Sequence, residues 1–176
     1  MIKLITVLLS LSISLNAYSQ CNLSKLQKRP IAKEIPMRDK VVGIRLMTRM
    51  GVSLISDINN AGSKAAKKAN ADLSNGVKPD FLSHIEYIKS EKSKIESYKQ
   101  RKETNRLDEL VYCYLDFEIN SYLKLQEIIV KNSFENIISE IKKWKGAIIN
   151  IEDKKIDELN AEVMSLELKY PIKVNR

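Results

Sequence analysis

The feature that most constrains this chain is how seldom its helical periodicity is interrupted. From Arg38 to Tyr170 the only firm break is Asn75-Gly76 with Pro79, and Pro171 closes the stretch. Between these points apolar residues recur at steps of three, four and seven, the spacing of one face of a helix, and not at the alternation of a strand. Five glycines and four prolines in 176 residues are too few turn-formers for a β fold of this size, and Leu, Ile, Lys and Glu favour helix. The chain therefore reads as all-α, an antiparallel bundle of about four long helices joined by short connections.

The first helix is expected to start near Met37 or Arg38, with Val41, Ile44, Met47, Leu54, Ile55 and Ile58 on one broad side. Arg38, Arg45, Arg49, Ser53, Ser56 and Asn60 fall on the other. Gly43 and Gly51, eight apart, share a face and allow a neighbour to approach closely. Residues 61–76 are polar and alanine-rich, and read either as a continuing exposed helix or as a linker. Asp80 is a good N-cap for a second helix, whose thin apolar seam is Phe81, Ile85, Ile88, Ile95 and Tyr98. Thr104 marks either a new N-cap or an irregularity in a continuous helix. From Leu107 to Val130 the chain is apolar on nearly all sides, as a central helix must be. Ser133 is expected to cap the last helix, which Gly146 and the charged run 152–155 are placed to bend and Pro171 ends.

The N-terminal stretch has the three parts of a cleavable secretory signal: Lys3, an uncharged run from Leu4 to Leu15, and Ala17-Tyr18-Ser19 before the cut. The run is too short to span a bilayer. The expected division is a signal peptide at 1–19, an irregular arm at 20–37 broken by Pro30 and Pro36, one bundle domain at 38–170 and a tail at 171–176. Gln20 before Cys21 departs from the small residue that lipoprotein processing needs, so lipidation is not expected. The location implied is secreted, and periplasmic in a bacterium. In that oxidising setting Cys21 and Cys113 are expected to form a disulfide; the alternative is two free thiols, with Cys113 a small buried hydrophobe.

The net charge is +8, and +7 once Lys3 leaves with the signal. Cations concentrate at Lys25, Lys28, Arg29, Lys33, Arg38, Lys40, Arg45 and Arg49 against only Glu34 and Asp39. The sign reverses between Asp108 and Glu127. Either an acidic helix compensates the basic segment within the fold, or Lys25, Lys28, Arg29, Lys33, Arg38, Arg45 and Arg49 meet an acidic protein partner or an anionic envelope surface. Secretion argues against nucleic acid as the partner.

No motif for catalysis stands out. His84 is the only histidine and sits among Phe81 and Ile88, which suits a structural role. Zinc-binding spacings and a phosphate-binding glycine loop are absent, and no cofactor is expected. Asp116 and Glu118 are two apart and so do not face each other on a helix. Tyr87, Tyr98, Tyr112, Tyr114 and Tyr122 read as core edge with hydroxyls reaching water, or else as an aromatic anchor for a partner. A leader, two cysteines and a small helical body without an enzyme motif resemble periplasmic immunity and inhibitor proteins, and also accessory proteins of secretion or conjugation machines. The likeness is of type and not of motif. It implies a non-enzymatic protein that binds another protein; the alternative is a protein that binds anionic lipid or lipopolysaccharide.

Overall fold

A computed structural model describes residues 21–34 and 36–171. The expected signal peptide at 1–19 and the tail beyond Pro171 lie outside the described residues. Among the described residues five helices follow in order: α1 (Ser24–Gln27), α2 (Met37–Ser74), α3 (Leu82–Ser97), α4 (Asn105–Lys131) and α5 (Phe134–Lys169). The four long ones form an up-down-up-down bundle. Lys92 meets Asp116 and Tyr112 meets Glu96 across α3 and α4, which fixes those helices as antiparallel. Arg45 near the start of α2 meets Glu167 near the end of α5, so these too run in opposite directions. Along α2 and α4, by contrast, Gly51 approaches Leu107 and Val111, Asn59 bonds Tyr114, and Gly62 faces Tyr122, so the two run parallel.

The helix expected to be apolar on nearly all sides is the hub. α4 packs on α3, α5 and α2, and it buries Leu107, Val111, Tyr114, Leu115, Phe117 and Ile129. Facing these are Ile44 and Ile58 of α2, Ile85, Ile88 and Ile95 of α3, and Ile137, Leu159 and Leu166 of α5. Each fully buried aliphatic or aromatic side chain contributes about 1.5–3 kcal/mol, so this layer dominates stability.

The ambiguous segment 61–74 is helix, because Ala69 is buried and Ala65 and Leu73 pack against the core while the lysines face solvent. α2 ends in a turn where Gly76 takes φ 73°, a conformation that favours glycine. Asp80 Oδ1 accepts the Leu82 N–H at 3.0 Å, so Asp80 serves the start of α3 with the helix beginning two residues later. Thr104 precedes α4 but does not cap it with its side chain. Buried, its hydroxyl turns toward Met47 Sδ at 3.8 Å. Ser133 holds the cap position of α5 through its carbonyl, which accepts from Asn136 and Ile137, with no bond from its hydroxyl.

The arm is more ordered than an irregular segment. It contains α1, buries Leu26, and pairs Ile31 with Gln100 in an isolated parallel bridge. Ala32 N–H donates to the Gln100 carbonyl at 2.8 Å, and Gln100 N–H donates to the Pro30 carbonyl at 2.9 Å. Cys21 is bonded to Cys113 in the middle of α4. The arm is thus tied to the bundle at three points.

Candidate functional site

A groove of about 550 Å³ opens between α2 and the α3–α4 corner. Its floor and walls include Met47, Met50 and Leu54 of α2, Ile95 and Tyr98 at the end of α3, and Leu107 of α4. Gly51 packs against α4 here: a Cβ in its place would stand 3.4 Å from Leu107 Cδ2, about an ordinary van der Waals contact. The groove is not sealed. Met50 is 51% exposed and Tyr98 49%. It continues along α2 as a stripe at four-residue steps, Val42, Leu46 and Met50, with Val42 69% and Leu46 60% exposed. Charged side chains line its rim: Asp57 and Glu91, then Lys94, Lys99 and Arg101.

The basic segment divides when placed on the fold. Lys25 pairs with Glu96 at 3.5 Å, Lys40 with Glu103 at 2.7 Å and Arg45 with Glu167 at 2.6 Å. Arg29, one of the cations expected to meet a partner, is only 5% exposed and points inward. Its guanidinium donates to the carbonyls of Leu26 and Ile95 and to Asp108 Oδ2 at 3.0 Å. That role is structural, because a buried guanidinium needs an acceptor for each donor. Lys28, Lys33 and Arg49 stay exposed without an ion pair among the described residues. The side chain of Arg38 lies outside the described residues.

A second polar cluster sits deeper, where α4 meets α2, α3 and α5. Tyr114 donates to Asn59 Oδ1 at 2.7 Å, and burial with the neighbouring Glu118 and Glu152 raises its pKa above the ordinary phenol value. Tyr122 is raised for the same reasons. Burial pushes Glu118 from its usual 4.5 to about 7, helped by the charge of Glu152 on α5, while the nearby Tyr114 hydroxyl opposes the shift. His84 stacks edge-on against Tyr122 with centroids 4.4 Å apart, and burial lowers its pKa. Its Nε2 has no hydrogen-bond partner among the described residues. Asp116 faces Lys92 whereas Glu118 faces Tyr114, as their spacing of two demands. Tyr112 and Tyr114 are buried, so their hydroxyls end on Glu96 and Asn59 and not in water.

Spacing puts Met47 and Leu54 on the apolar side of the first helix, but the groove they line is not legible from it. The available signal was excess: Val42, Leu46, Met50 and Val52 add apolar residues beyond what one buried stripe can hold. Among the described residues no three or more His, Cys, Asp or Glu side chains gather as metal ligands, and no helix is long and apolar enough to cross a membrane. The fold and groove define the class, a disulfide-tied up-down helical bundle with an open apolar groove. Beyond that class, comparison with family models, curated proteins and solved structures yields no match.

Proposed function

We propose that this is a non-enzymatic binding protein of the cell envelope or exterior, which holds another protein on the α2–α3 face as an immunity or inhibitor protein holds its effector. The observation that carries the reading is the open, mostly apolar groove on an otherwise highly charged surface. Apolar patches rimmed by charge mark interaction sites. Methionines such as Met47 and Met50 adapt their shape to a partner's side chains at little cost. The Cys21–Cys113 bond fits an oxidising compartment.

The test is co-purification from the native host at low salt. One partner retained in fixed stoichiometry, and lost with Met50→Glu, is the expected result; a chain recovered alone at low salt counts against the reading. The exposed stripe Val42, Leu46 and Met50 beside Arg49 favours a second reading, attachment to an anionic lipid surface. Flotation with anionic vesicles at low ionic strength separates the two, since a protein-binding groove gives no vesicle-bound fraction.

A further inference from the structure

The groove is asymmetric in charge, and the asymmetry specifies an occupant. Two of its three acids are already engaged: Asp108 by Arg29 at 3.0 Å, and Glu91 by Lys94 at 2.5 Å. Asp57 is the remaining acid, on the α2 wall. At the corner between α3 and α4, Lys99 and Arg101 line the groove with no carboxylate in an ion pair with either among the described residues. Arg101 donates to the Lys33 carbonyl at 3.3 Å. Lys33, whose carbonyl accepts that bond, is exposed and adds positive charge to this corner. The uncompensated charge around the groove is therefore positive.

Shape narrows the choice further. From Val42 to Leu54 the apolar path follows about 18 Å of helix, or roughly three turns. It is open along its length, and Ser53, Asp57 and Glu91 interrupt its walls. A hydrocarbon chain gains nothing from such interruptions, whereas a helix with one apolar edge presents polar side chains to them. We propose that the groove receives an amphipathic helical segment of the partner protein, its apolar edge on Met47, Met50 and Leu54 and its acidic residues facing Lys99 and Arg101. The inference rests on the protein-binding reading and adds the chemistry of the bound segment.

The experiment places a benzophenone-bearing residue at position 50 of the full chain, in complex with the partner retained from the native host. The crosslinked peptide is then sequenced. Expected is a helix-forming segment with apolar residues at three- and four-residue steps and acids flanking them. Lys99→Glu with Arg101→Glu should weaken the complex tenfold or more and abolish its loss of affinity with added salt. Lys143→Glu, on an exposed face of α5, should leave affinity unchanged. A crosslink to lipid or to a basic segment overturns the proposal, as does unchanged affinity in the double charge reversal. A complex that forms without a crosslink at position 50 overturns the groove assignment while protein binding stands; a chain with no partner overturns both.

Discussion

Arg29 places its charge inside the protein, and that single placement joins three elements. It holds the arm through the Leu26 carbonyl, the end of α3 through the Ile95 carbonyl, and α4 through Asp108. Arg29→Ala would leave Asp108, whose pKa burial already raises, without its cation. The expected cost is about 3 kcal/mol, seen as a lower urea midpoint. Glu118 acts in the opposite sense, since its charged form is the costly one. Its folded pKa of about 7 lies above the usual 4.5, so the native state holds that proton more tightly than the unfolded chain. The stability this contributes is full below about pH 4.5 and lost as pH rises through 7. His84, lowered by burial from 6.5, works against it, because stability falls as the unfolded chain takes up that proton below pH 6.5. Glu118→Gln should therefore raise stability at pH 8, by on the order of 2–3 kcal/mol, and leave the His84 slope uncovered. Unfolding midpoints at pH 5, 6.5 and 8 check both effects; a parent chain more stable than the variant at pH 8 would contradict them. Spacing alone showed that Asp116 and Glu118 point to different neighbours. That Glu118 meets Glu152, 34 positions later, depends on how α5 lies against α4.

Two glycines show how the same residue type differs between elements. Gly62 of α2 lies under Tyr122: a Cβ there would be 2.7 Å from the hydroxyl and 3.5 Å from His84 Nε2. Tyr122 is itself held between Phe81 and His84, so it has little room to retreat. Gly62→Ala should cost about 1–3 kcal/mol by overpacking, more than the roughly 1 kcal/mol gained in helix propensity. A Cβ at Gly146 of α5 would meet nothing within 4 Å among the described residues, so Gly146→Ala should stabilise by up to about 1 kcal/mol. Thermal midpoints of the two variants should move in opposite directions. Neither assignment is visible in the sequence, where Gly62 falls in a polar, alanine-rich stretch and Gly146 reads as a place to bend. Element existence was legible because apolar spacing dictates it. Of the two readings the sequence leaves open at Thr104, a helix start is the one found, and Ser133 stands at the start of α5; neither hydroxyl caps, because Thr104 is buried against Met47 and Ser133 offers its carbonyl instead.

At the scale of the molecule, the Cys21–Cys113 bond spans a sequence separation of 92 and ties the arm to the central helix. In the chain-entropy account, closing so long a loop in the unfolded chain is worth up to about 4–5 kcal/mol. Replacing both cysteines by serine should lower the unfolding midpoint strongly. It should also expose the arm near Lys25 and Lys28 to trypsin before the bundle opens, as limited proteolysis would show. An arm that stays protected in that variant would mean that Arg29 and the Ile31–Gln100 bridge suffice to hold it. The sequence by itself determined the helical class, the number of long helices, the central place of α4 and the candidate cysteine pair, because periodicity, breakers and composition are local or countable properties. Only the tertiary structure decided which cations remain at the surface, which carboxylates share a buried site, and that α2 and α3 part to leave a groove. Those outcomes depend on the relative placement of residues tens of positions apart, and packing sets that placement only once all four helices are together.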